Sequence, residues 1–198
     1  MHSVSETLTA SEGPVCLVSG SPWGDIVVRG DEQGIRSVRF QAGQVERQVG
    51  LASWSERCRQ QLQAYCKGQL TAFDLPLQPR GTAFQQRVWQ ALQTIPFGEL
   101  RSYQQQAEAM GSPGAVRAVA SANARNPISI IIPCHRVIGR DAALRGYAGG
   151  LAAKAGLLRH EGHQLEAGPV TASSKVLAIA STAMGVTDQH AVQAKLAL

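Results

Sequence analysis

Between residues 82 and 124 the chain punctuates itself so tightly that few folds are open to it. Thr82 and Gln85 stand three apart, as do Ser102 and Gln105, the spacing at which a hydroxyl and an amide satisfy each other's backbone donors at a helix start. Ile95-Pro96-Phe97-Gly98 ends the first helix, Gly111 ends the second, and Ser112-Pro113 caps and opens a third that runs to about Ala124. Phe84, Val88, Trp89 and Leu92 face inward on the first helix, and Val116 and Val119 on the third. Two short helices joined by so tight a turn, 103–110 and the one after Pro113, form a helix-turn-helix. The outer face of its second helix presents Gly114, Arg117 and Ser121. Small residues let a helix lie close to a phosphate backbone, and Arg117 is placed to reach into a groove; a solvated surface arginine is the plain alternative.

Charge follows the same boundary. Residues 1–80 carry 8 Lys+Arg against 8 Asp+Glu, residues 81–163 carry 9 against 4, and residues 164–198 carry 2 against 2. The whole excess of +5 therefore lies in the helical block; a basic balance is often only a solvated surface, but one segregated in this way is also the electrostatic footprint of a nucleic-acid binder. No run of about 18 apolar residues is present, so nothing is expected to span a membrane. The first residues include Glu6 and Glu12 and lack a basic, apolar leader. Cys16, Cys58, Cys66 and Cys134 form no C-x-x-C pair, which argues for reduced thiols and a cytoplasmic location, and against a zinc ribbon.

Ahead of the helical block, Val15–Ser19, Asp25–Arg29 and Ile35–Phe40 read as short strands of an antiparallel sheet. A helix follows from about Ser53 to Cys66, with Ser53 as N-cap, Gly68 past its end, and Trp54, Cys58, Leu62 and Tyr65 as a core-facing stripe. No chemistry is visible in residues 1–80. Leu75-Pro76-Leu77-Gln78-Pro79-Arg80-Gly81 reads as a linker. The expected domains are thus an α/β unit over 1–79, a helical unit over 80–163, and a flexible tail over 164–198 that is able to form a loose helix near Val176 to Met184.

The chemistry points to residues 126–137. Ile130, Ile131 and Ile132 read as a buried strand or core-crossing run, which Pro133 ends just before Cys134, His135 and Arg136. Neighbouring positive charge favours thiolate, the reactive form. In an extended segment Cys134 and His135 would point apart, so either the chain turns here or His135 acts through a water. Later, glycines flank Tyr147, marking a loop that something approaches closely. A last helix, Leu151 to His160, contains Gly156, which costs about 1 kcal/mol relative to alanine.

Pro133-Cys134-His135-Arg136-Val137, with Asn126-Pro127 before it and Tyr147-Ala148-Gly149-Gly150 and Leu157-Leu158-Arg159-His160-Glu161-Gly162 after it, resembles the active-site signature of the O6-alkylguanine-DNA alkyltransferases. Gly98-Glu99, Ser102-Tyr103-Gln104-Gln105 and Arg117-Ala118-Val119 extend the match over residues 81–163. The resemblance implies a ribonuclease-H-like α/β N-terminal domain followed by an α-helical, winged-helix/helix-turn-helix domain. It implies stoichiometric transfer of an alkyl group from O6-alkylguanine, and from O4-alkylthymine, in double-stranded DNA to Cys134. His135 would act through a water, oriented by Glu161; Asn126 would fix the turn; Tyr103 would donate to the leaving base. The backbone of Val137 and Ala148, beside Tyr147, would read the flipped base, with Lys154 supporting the pocket. Ser102, Gly114, Arg117, Ala120, Ser121 and Arg125 would face DNA, Arg117 filling the vacated place in the stack. The reaction calls for no cofactor, no metal-ligand cluster is visible, and a monomer is expected. The rival readings are a non-catalytic lesion binder or helix-turn-helix regulator, and a Cys-His hydrolase.

Overall fold

The structure, a computed structural model, describes residues 14–41 and 52–179. The expectations for residues 1–13 and for 180–198 lie outside the described residues. Three strands, β1 (Val15–Val18), β2 (Asp25–Asp31) and β3 (Gly34–Gln41), form an antiparallel meander in the order β1-β2-β3. Helix α1 (Ser55–Cys66) packs across it. Cys16 and Val18 on β1, and Ile26 and Val28 on β2, enter the core at alternate positions, where they meet Trp54, Cys58, Leu62 and Tyr65. The stripe is as expected, but the helix starts two residues late: Trp54 is the N-cap and no side chain caps it, so Ser53 is not the cap. Gly68 adopts φ +70°, the left-handed turn that ends the helix.

The free edge of β3 does more than finish a sheet. Its first half binds the segment expected to be a linker, through Ile35 N to Pro76 O (2.8 Å) and Gln78 N to Ile35 O (2.7 Å). Its second half binds the segment leading to Cys134, through Val38 N to Pro127 O (2.9 Å) and Ser129 N to Val38 O (3.1 Å). The boundary near residue 80 is therefore stitched to the sheet, because two backbone segments satisfy an edge that would otherwise stay unpaired.

In the second half, α2 (Ala83–Gln93) opens on Thr82 with both hydrogen bonds of the capping box, and α3 (Tyr103–Ala109) opens on Ser102 in the same way. A short strand, β4 (Arg101–Ser102), leads directly into α3 and pairs in parallel with β5 (Val137–Ile138). After Gly111 (φ +67°) a 3-10 turn, Pro113–Ala115, precedes α4 (Val116–Ala124). The Ser112 side chain makes no capping bond, contrary to expectation; proline alone opens the turn. The helix-turn-helix is locked both to α2 and within itself: Trp89 Nε1 of α2 donates to Ala122 O (2.9 Å), and Gln106 and Asn123, both buried, exchange side-chain hydrogen bonds at 3.3 and 2.8 Å.

Helix α5 (Leu151–His160) meets the first half through His160, which bonds Tyr65 O, and the second through Ala155 and Leu158, which pack with Ile138 and Leu144. Gly156 is explained here, since a Cβ at that position would collide with the Trp23 indole. The chain then forms β6 (His163–Leu165), which pairs antiparallel with β7 (Val176–Ile179). Over residues 164–179 this corrects the expectation of a flexible tail, and over Val176–Ile179 that of a helix: residues 163–179 are a hairpin whose Leu165, Val170 and Val176 pack on Ile138, Leu144, Ala155 and Leu158. No described helix is long and apolar enough to cross a membrane.

Candidate active site

Ile130 to Ile132 are buried but not a strand. Asn126 forces the turn: its Oδ1 accepts from Ile128 N (3.0 Å), and its Nδ2 donates to Ile132 O (2.7 Å). Ile130 is held at φ +71° inside this knot, a conformation that β-branched residues rarely adopt. Pro133 then leads into a 3-10 turn, Cys134–Arg136, so the chain does turn at the thiol. Asn126 Nδ2 also lies 3.1 Å from Cys134 Sγ as a donor. Asn126 thus positions the sulfur by fixing both its backbone and its own bond to it.

Burial raises the Cys134 thiol above its ordinary value, opposed by the Asn126 hydrogen bond and the charge of Lys154. Arg136, expected from the sequence to favour thiolate, faces elsewhere. Its guanidinium donates to Ile95 O (2.6 Å) and twice to Glu161, from Nε at 2.8 Å and Nη2 at 2.9 Å.

Glu161 is the hub behind the cysteine. Besides Arg136 it accepts from His135 Nε2 (2.9 Å), from Tyr65 Oη (2.7 Å) and from Gly98 N (3.3 Å). Burial raises its carboxyl, but the hydrogen bonds and charges of His135 and Arg136 outweigh that and hold it well below the usual carboxylate range. An ionised carboxylate only accepts, so Nε2 of His135 carries the proton it shares with Glu161, and Nδ1 keeps its lone pair. That Nδ1 is buried with no partner among the described residues. Burial lowers the imidazole below its ordinary value, with Glu161 opposing, which keeps His135 a neutral base. Tyr65 is the functional residue missed in the sequence. Its one signal was a phenol on an otherwise apolar stripe, which must find a partner when buried.

In front of the cysteine lies a cleft of about 340 Å³. Tyr103, at the start of α3, and Cys134 line it together with Val116, Arg117 and Ala120 from the helix-turn-helix. The loop residues Arg145, Gly146, Tyr147 and Ala148 form another part of its wall. Burial, with the nearby Cys134, pushes Tyr103 up to about 12, so it remains a donor at neutral pH. Gly149 has no room for a Cβ, which would strike Phe40 of β3; the glycine lets this loop close on the sheet.

Lys154 is fully buried below the cleft and donates to Val137 O and Leu144 O, both at 2.6 Å. Burial lowers its ammonium to about 8. Val137 itself is buried in β5 and does not line the cleft, so of the two backbone readers expected, only Ala148 stands on its wall. Among the residues expected to face DNA, Gly114, Arg117, Ser121 and Arg125 are exposed. Arg125 Nη1 is tethered to Ser121 Oγ, Ser102 is occupied as the cap of α3, and Ala120 belongs to the cleft. All four cysteines are free, and among the described residues no group of three or more His, Cys, Asp or Glu is placed to hold a metal ion.

A buried cysteine beside a His-Glu pair, opening into a cleft lined in part by a helix-turn-helix, defines a protein with a single candidate nucleophile at this cleft. The chain belongs to the O6-methylguanine-DNA methyltransferase family: its ribonuclease-like domain matches residues 16–79 and its DNA-binding domain matches residues 83–163. A methylated-DNA--protein-cysteine methyltransferase of Methanosarcina acetivorans is 49% identical over 148 residues, covering 72% of this chain and 94% of that one. One from Mycobacterium leprae is 61% identical over 105 residues, covering 53% and 64%. The crystal structure of Mycobacterium tuberculosis O6-methylguanine methyltransferase superposes with a TM-score of 0.67 at 43% identity, covering 74% of this chain and 91% of that one, as does its complex with DNA.

Proposed function

We propose that this chain repairs double-stranded DNA by taking the alkyl group of O6-alkylguanine, and of O4-alkylthymine, onto Cys134 in a single turnover. The observation that carries the reading is the placement of Cys134 in the lining of a cleft of about 340 Å³, with Asn126 Nδ2 donating to its sulfur and Tyr103 in the same lining. A base reaches such a cleft only by leaving the duplex. Arg117, exposed on α4 and lining the cleft mouth, takes the vacated place in the stack, while Gly114, Ser121 and Arg125 face the backbone and Ser102 holds α3 against it.

The chemistry balances with these groups alone. The thiol proton passes by way of a water to His135 Nδ1, which is kept basic by the Nε2 bond to Glu161. The thiolate attacks the alkyl carbon as the bond from carbon to O6 breaks, and the electron pair stays on the base. Tyr103 stabilises that developing charge by donation, and the proton lost from sulfur makes up the one the base finally needs. Ala148 reads the base through its backbone. Val137 acts one step back, because its carbonyl is anchored by Lys154. The product at Cys134 is a thioether, which neither water nor thiol exchange reopens. The presence of the cysteine argues against a mere lesion binder. A complete site on one chain, free cysteines and a DNA substrate support a cytoplasmic monomer.

The test is titration with excess methylated duplex and intact mass. One methyl per chain, on the peptide containing Cys134, is the expected plateau. Repeated turnover, or transfer by Cys134→Ala, would refute the reading.

A further inference from the structure

The family's DNA-binding domain ends at residue 163, yet the β6-β7 hairpin that follows grips the loop between β5 and α5. Leu144 N donates to Ser174 O and Arg145 N to Ala172 O, both at 2.9 Å, and Val176 N donates to Ala142 O at 3.0 Å. Between these bonds Ala143 bridges Lys175 in antiparallel register. Two residues of the gripped loop, Ala142 and Arg145, hold φ of +61° and +59°, the left-handed region that side chains other than glycine occupy only when the surroundings over-determine it. The hairpin takes one residue by its carbonyl and the other by its amide. The chain then enters the loop part of the cleft wall, which starts at Arg145 itself and continues through Ala148.

We infer that residues 164–179 are a positioning element for alkyl transfer: the hairpin holds Ala142 and Arg145 in their strained conformation and so keeps the Arg145–Ala148 wall formed before the base arrives. This rests on the alkyl-transfer reading. The turn that presents the two acceptor carbonyls is itself closed, since the buried Ser174 accepts at Oγ from Thr171 N (2.9 Å) and donates to Pro169 O (3.3 Å). Without the grip the loop spends only part of its time in the base-binding form, and apparent affinity falls by that fraction. The reacting groups Cys134, Asn126, His135 and Glu161 sit on other segments, so the step after binding is untouched.

The experiment is single-turnover transfer from a methylated duplex at varied protein concentration, with amide exchange read alongside. Val176→Pro removes the N–H that donates to Ala142 O; Val176→Ala keeps that N–H while also losing the valine's packing on Leu144, and so serves as control for the side chain. Ser174→Ala is a milder cut that loosens the turn, and it keeps the question open to test should the proline variant fail to fold. The expected result for Val176→Pro is a rise of about tenfold in half-saturating concentration with the limiting rate within about twofold. Exchange at Leu144 and Arg145 should quicken by about tenfold while that at Ile132 and Cys134 holds. Ser174→Ala should move the same quantities in the same direction, and Val176→Ala should quicken exchange at Leu144 and Arg145 clearly less than Val176→Pro does. Faster exchange with unchanged half-saturation would overturn the inference, as would a fall in limiting rate accompanied by faster exchange at Cys134, which marks general loosening. Absence of transfer in the wild type would instead refute the proposed function.

Discussion

Replacing Glu161 by glutamine keeps its shape and removes its charge, and the consequences can be worked from its five hydrogen bonds. Arg136 is only 6% exposed and directs two of its donors at this carboxylate. Stranding a buried guanidinium in this way costs about 3–5 kcal/mol. At roughly 2–4 °C per kcal/mol for a chain of this size, the melting temperature should fall by about 6–20 °C. Glu161→Gln should remain folded at 25 °C, because domains of this size are stable by about 5–15 kcal/mol. The double variant Arg136→Met with Glu161→Gln removes both charges and should recover at least half of the loss, by denaturant unfolding at neutral pH. Transfer should not recover, since His135 has lost its anionic partner in both; a fall of about 10²–10⁴ in single-turnover rate is expected. The acid side gives a second readout. The folded carboxyl lies well below its unfolded value of about 4.3, so its contribution is complete above that pH and is lost progressively as pH falls through it towards the folded value. Glu161→Gln should flatten that acid decline. A single variant within about 1 kcal/mol of wild type, or a double variant no more stable than the single, would refute the reasoning.

Arg117→Ala should weaken transfer from duplex while leaving reaction with free O6-methylguanine base nearly intact, because stack filling is needed only in a duplex; equal loss on both substrates would show a structural role. Lys154 has a folded value of about 8, below its unfolded one, so the unfolded chain binds the proton more tightly between the two. Wild type should therefore gain stability relative to Lys154→Met as pH rises from about 8 to 10.4, by up to about 3 kcal/mol, and a flat difference across that range would contradict the assignment. Gly156→Ala should lose about 1–3 kcal/mol by overpacking against Trp23 despite alanine's better helix propensity; recovery of the loss in a Trp23→Ala background, measured by thermal unfolding, checks the cause.

What was legible in the sequence is what short-range chemistry dictates. Both capping boxes, the Trp54 to Tyr65 stripe and the three strands rest on neighbours within four residues or on a period of two, and each is present in the structure. The misreadings share a different cause. Three isoleucines in a row carry a strand's local preference, yet Asn126 and the edge of β3 bend Ile130 to a positive φ, a tertiary override of propensity. Arg136 beside Cys134 in sequence meant proximity of charge only if the chain stayed extended. The turn sends its guanidinium to Glu161, 25 residues away. Tyr65 reaches that carboxylate across 96 residues, and no local signal reports such a pair. Residues 163–179 lack alternation, so their pairing was invisible until the β5–α5 loop supplied the partner. These non-local contacts all converge on the reacting centre, from the α/β domain through β3 and Tyr65 and from the C-terminal hairpin through the pocket loop. Under the proposed function the helix-turn-helix accounts for contact with DNA but not for the placement of the cysteine. The readiness of Cys134 depends on Asn126 and Glu161: Tyr65 of the N-terminal domain holds Glu161, and Val38 of β3 holds Pro127 and Ser129 in the turn that Asn126 closes.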